Sequence, residues 1–113
     1  MDNKLHILWT NDNVETAEHM VLLYAPVSLS MHKAWDEVTI IIWGATATLV
    51  AENKHIQNLV KDAQAKGVKF TGCLHCATEL GVEETLSNLG VELKFWGKPL
   101  TELIKSKANL ITI

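Results

Sequence analysis

At 113 residues, 48% of them apolar, the chain is long enough for one compact domain with one core and too short for two. Its net charge of −3, with acids and bases mixed and no basic run, argues against a nucleic-acid surface. The longest apolar run, 39–51, contains Gly44 and falls short of a bilayer's thickness, so no membrane span is expected. Met1-Asp2-Asn3-Lys4 leads straight into a strand-like segment without a charged-then-apolar leader, which makes cytoplasm, where thiols stay reduced, the expected compartment.

Leu5–Thr10 reads as the first strand, with Leu5, Ile7, Leu8 and Trp9 leaving little polar surface. Asn11-Asp12-Asn13 is a turn that supplies helix caps. The helix after it steps its core face through Val14, Ala17, Val21 and Tyr24, and Met20, Leu22 and Leu23 widen that face beyond one stripe. Pro26 is expected to kink or interrupt it before it continues toward Trp35. Val38–Trp43 is β-branched and almost continuously apolar, the mark of a strand covered on both faces, as in a parallel sheet. A helical stretch follows to Lys66, broken near Asn53, and Gly67 closes it. Val68–Thr71 is the third strand and Val91–Phe95 the fourth, separated by a helical period through Val82, Leu86 and Leu89. Pro99 fits the first position of a last helix that turns Leu100, Leu103 and Ile104 inward, and Leu110–Ile113 is a short fifth strand. Strands alternating with helices imply βαβ units: one α/β domain over 1–113, with a five-stranded, mostly parallel sheet and helices on both faces.

Both cysteines fall in Gly72-Cys73-Leu74-His75-Cys76, directly after the third strand, where the chain turns toward a helix. Open α/β sheets place ligands and chemistry at the carboxyl ends of their strands, and a helix start favours thiolate over thiol. Cysteine chemistry is therefore the leading expectation, against the alternative that both thiols are small packing residues. The same edge collects Asn11 and Asp12 after strand one, Trp43 and Gly44 after strand two, His75 beside the cysteines, and Trp96 and Lys98 after strand four. These are candidate pocket residues, with ordinary turn chemistry the competing reading for Gly44 and packing for the tryptophans.

Other site types fit less well. Neither a phosphate loop nor a dinucleotide fingerprint occurs, and no cofactor is expected. One C-x-x-C pair supplies half of a structural zinc site, so no metal is expected. A thioredoxin-like centre shares the C-x-x-C, but neither Pro26 nor Pro99 stands where that fold needs a cis-proline. A binding or thiol-redox regulatory module without sulfur transfer stays open.

Ile7-Leu8-Trp9-Thr10-Asn11-Asp12, Ile40-Ile41-Ile42-Trp43-Gly44-Ala45, Cys73-Leu74-His75-Cys76, Gly81-Val82 and Trp96-Gly97-Lys98-Pro99-Leu100-Thr101 follow one another in an order and spacing that resembles the DsrE/DsrF-like family, relatives of the TusD-type sulfur-relay subunits. The resemblance covers essentially the whole chain. It implies a three-layer α/β/α sandwich, assembly into homotrimers or hexamers, and a cysteine after the third strand that accepts persulfide sulfur from a donor protein and passes it to an acceptor. Cys73 matches that position, and Cys76 belongs to the C-x-x-C variant of short stand-alone members. On this reading Cys73 is the accessible, reactive thiol, and Cys76, a turn further into the helix, has its pKa raised by burial.

Overall fold

Alternation along β1 (Lys4–Trp9) sends Leu5, Ile7 and Trp9 to one face, where all three are buried. Their partners on β2 (Glu37–Ile42) are Val38, Ile40 and Ile42, in parallel register and equally buried. The computed structural model describes residues 3–113; Met1 and Asp2, which open the N-terminal segment read above, lie outside the described residues. Three further strands, β3 (Lys69–Cys73), β4 (Glu92–Lys94) and β5 (Asn109–Thr112), complete a five-stranded sheet of order β4-β3-β2-β1-β5. Every pairing is parallel. Each expected strand is present, with its ends displaced by one or two residues.

The sheet has unequal faces. The path β1 to β4 steps in one direction, and only the last connection, β4 to β5, returns across the sheet. Right-handed crossovers then put all helices but the last on one side. On that side Val21, Ala25, Val50, Ile56 and Val60 pack into the core over the buried strand residues. The other face carries Lys4, His6, Leu8, Thr39, Ile41, Lys69 and Thr71, and its helical cover is α7 (Gly97–Lys105). The result is an asymmetric three-layer sandwich.

The first helical rod, 14–31, starts on Asn13, whose Oδ1 accepts the Thr16 N–H at 2.8 Å. It does not break at Pro26. Two α-helical segments, α1 (Val14–Thr16) and α2 (Leu22–Pro26), alternate with wide π turns at Ala17–Val21 and Val27–Met31. Proline clashes with a regular helix through its ring and lacks a donor, and wider turns on both sides relieve that constraint. The rod ends at Met31 and not at Trp35. α3 (Ala45–Glu52) and α4 (Lys54–Ala65) meet at Asn53, which caps α4 by accepting the Ile56 N–H at 3.0 Å. After the cysteines, α5 (Leu74–Glu79) and α6 (Glu83–Asn88) are two short helices joined through Gly81. In α7 Pro99 takes the third position of the first turn, where its missing N–H is equally harmless. Ile104, expected inward, is 60% exposed, whereas Leu100 and Leu103 of the same helix are half-buried.

Candidate functional site

β3 delivers Cys73 to the carboxyl edge as its last residue, and the same residue is the N-cap of α5. An N-cap side chain faces the free N–H groups of the first turn. Here the Cys73 Sγ accepts the Cys76 N–H at 3.4 Å. The Cys76 side chain lies beside it. Burial first, and then its hydrogen bond to the Cys73 sulfur, push the Cys76 thiol above its ordinary pKa. The Gly44 backbone N–H opposes both by hydrogen-bonding the Cys76 sulfur.

Gly44 reaches this place through an unusual backbone. Its φ of 72° and ψ of −133° lie where side chains are strained, so glycine is needed to turn the end of β2 into α3. Thr46 fixes the neighbouring loop: its buried hydroxyl lies 2.8 Å from the Trp9 carbonyl and 2.9 Å from that of Asn11. Gly72 sets Cys73 from the other side, since a Cβ there would stand 3.2 Å from the Leu93 side chain and 3.3 Å from the Ile42 carbonyl. The sulfur pair is therefore held by three strand ends, β2, β3 and β4.

The order of burial is the reverse of the expected one. Cys73 is buried, 6% exposed, and Cys76 is only half-buried. Strand β3 runs two residues further than expected and carries Cys73 into the layer, while α5 starts at once and lifts Cys76 toward its rim. The structure brings Cys73, Cys76 and Gly44 together. The remaining edge residues are engaged elsewhere or exposed. Asn11 serves its own turn, its Oδ1 accepting the Asn13 N–H at 3.1 Å. Asp12 lines a shallow depression with Thr48 and Glu52. Trp43 is half-buried and donates its backbone N–H to the Trp9 carbonyl at 3.1 Å, and His75 and Lys98 are exposed.

Trp96 belongs to a second region, on the α7 face. Its indole N–H donates to Thr71 Oγ1 at 3.0 Å, and Thr71 in turn donates to the Glu92 carbonyl at 2.8 Å. The Lys94 ammonium stands 4.9 Å from the ring centroid. A cleft of about 230 Å³ opens there between His6, Thr39, Lys69, Lys94 and Trp96. His6 Nδ1 is buried without a hydrogen-bond partner among the described residues. Sequence reasoning missed this face, although polar alternation at Lys4 and His6, and at Lys69 and Thr71, was its signal. Among the described residues no cluster of histidine, cysteine and carboxylate side chains suits a metal ion, and no helix is long and apolar enough to cross a membrane.

No family model matches the chain, and neither does any curated protein. Solved structures do. One, the conserved protein of unknown function BT1422 from Bacteroides thetaiotaomicron, is 33% identical, with a TM-score of 0.93 over 98% of this chain and 95% of that one. Another, the ychN protein from E. coli, superposes along the full length of both chains with a TM-score of 0.69. At 18% identity that second likeness is one of fold, and the fold is the DsrE-like arrangement.

Proposed function

We propose a sulfur-handling function for this chain, which belongs to the same family as the conserved Bacteroides thetaiotaomicron protein. In this reading Cys73 accepts persulfide sulfur at the carboxyl edge of a DsrE-like sheet. The observation that carries it is the hydrogen bond from the Cys76 N–H to the Cys73 Sγ. A backbone donor aimed at a sulfur can hold a bound sulfur anion, such as a persulfide, in place. Cys76 is held toward its thiol form.

The step needs little machinery. The Cys73 thiolate attacks the outer sulfur of a donor hydropersulfide, R–S–SH. A new S–S bond forms on Cys73, the old one breaks, and R–S⁻ leaves. The protein supplies a fixed nucleophile, an N–H donor for the sulfur anion and a partly water-excluded setting. We place the chain in the cytoplasm and expect it to work as a homo-oligomer, a trimer or hexamer, as its DsrE-like kinship suggests.

A second reading rests on the cleft over His6 and Trp96, which favours a small-ligand-binding module on the opposite face. One experiment separates the two. Protein is exposed to a small hydropersulfide carrying radiosulfur at its outer position, and label is followed in Cys73→Ser and Cys76→Ser. Retention in Cys76→Ser and none in Cys73→Ser supports the assignment. The opposite pattern moves the role to Cys76, and no label in either leaves the ligand-binding reading.

A further inference from the structure

The burial of Cys73 restricts what can exchange sulfur with it. Thiol–persulfide exchange requires the incoming sulfur to line up behind the breaking S–S bond at about 3–3.5 Å. Cys73 is 6% exposed, and Cys76, whose backbone N–H bonds its sulfur, is half-buried beside it. A cysteine on a folded protein surface does not reach such a sulfur, whereas the terminal atoms of a small hydropersulfide do. Once a sulfur atom sits on Cys73, the thiol nearest to it is the one already in place. Cys76 lies one helical turn on, its backbone N–H on the Cys73 Sγ and its side chain hydrogen-bonded to the same sulfur.

We infer that the pair does not hand its sulfur to a protein but releases it as hydrosulfide, taken from low-molecular-weight hydropersulfides. This rests on the sulfur-accepting role proposed for Cys73. The Cys76 sulfur attacks the Cys73 Sγ. The Cys73–Cys76 disulfide forms, the bond between Cys73 and the carried sulfur breaks, and that sulfur departs with the electron pair. The proton comes from the Cys76 thiol, so Cys73–S–S⁻ and Cys76–SH become the disulfide and HS⁻. The carried sulfur is reduced and the two cysteine sulfurs are oxidised. A dithiol reductant then restores both thiols and leaves as its own disulfide.

The geometry favours this route over transfer outward. A thiol fixed beside the reacting bond has an effective concentration far above that of any external acceptor in the micromolar to millimolar range. C-x-x-C at a helix start also places its cysteines three residues apart on neighbouring positions, a separation that a disulfide spans. The substrate class is accordingly a short, flexible hydropersulfide, and the product pair is a thiol and hydrosulfide.

The test treats reduced protein with glutathione hydropersulfide and measures released hydrosulfide and intact mass, against a Cys73→Ser/Cys76→Ser control. Wild type is expected to release one hydrosulfide per chain above control and to lose two hydrogens in mass. Cys76→Ser is expected to release at least about tenfold less and to keep one added sulfur on the Cys73 peptide. Wild-type protein that accumulates a stable persulfide on Cys73 without hydrosulfide overturns the inference and leaves the sulfur-accepting role intact. A Cys76→Ser protein that takes up no sulfur, while folded by circular dichroism, removes both.

Discussion

Gly44 at φ 72° and the hydrogen bond it sends to Cys76 are one device at the scale of the residue. A side chain at that φ and ψ is strained, so Gly44→Ala is expected to cost about 1–3 kcal/mol in urea unfolding. If the strain is relieved by turning the peptide, the Cys76 sulfur also loses the stronger of the two backbone hydrogen bonds that oppose its raised pKa, the one from the N–H of Gly44. Burial and the bond to Cys73 already favour the thiol, so alkylation of Cys76 is expected to follow a pH profile displaced upward from that of free cysteine. A profile matching free cysteine contradicts this placement. That the two thiols act as a pair was legible in the sequence, since both stand in one stretch after a strand. Which of them is buried was not, because it depends on where β3 stops and α5 starts, and a shift of two residues changes it.

Elements are fastened to one another by a few polar groups. Thr46 ties the start of α3 to the loop after β1 through the carbonyls of Trp9 and Asn11. Thr46→Val keeps the shape and removes the hydroxyl, and is expected to cost about 1–2 kcal/mol and to speed amide exchange in the 10–13 loop. At the opposite ends of the strands Glu37 of β2 pairs with Lys4 of β1 and with Lys69 of β3. The Lys69 hydrogen bond above all, then the two ammonium charges, hold its carboxyl below the ordinary range against the opposing effect of burial. A depressed carboxyl stabilises the fold above the ordinary carboxylate range, and that contribution is lost as pH falls through the folded pKa. Wild type and Glu37→Gln are therefore expected to differ in stability at pH 7 and to converge in acid. An undiminished difference in acid contradicts the pairing. The parallel sheet was readable from the unbroken apolarity of Val38–Trp43 and from the alternation of strands and helices. The π turns around Pro26 were not, since a proline in a rod and a proline after one leave the same local pattern. Nor was the lone position of α7, which follows from β5 returning to the side of β1, a pairing that only the tertiary fold selects.

At the scale of the molecule the sheet has one apolar, fully covered face and one polar face under a single helix. Large apolar side chains stay open on the first rod, Leu23 at 52% and Met31 at 71% exposed, and β5 ends the sheet beside that rod. The widened apolar face was readable from Met20, Leu22 and Leu23; Leu22 is buried within the chain, and Leu23 stays open. Light scattering at micromolar concentration is expected to give a multiple of 12.6 kDa, a trimer or hexamer, and a monomer alone contradicts the proposed assembly. The sulfur-accepting role itself is tested most directly by the mass of one peptide. Cys76→Ser protein is treated with glutathione hydropersulfide, alkylated and digested, and the peptide containing Cys73 is weighed. The account predicts one added sulfur on Cys73. A peptide carrying only the alkyl group, from protein that is folded and reduced, contradicts it.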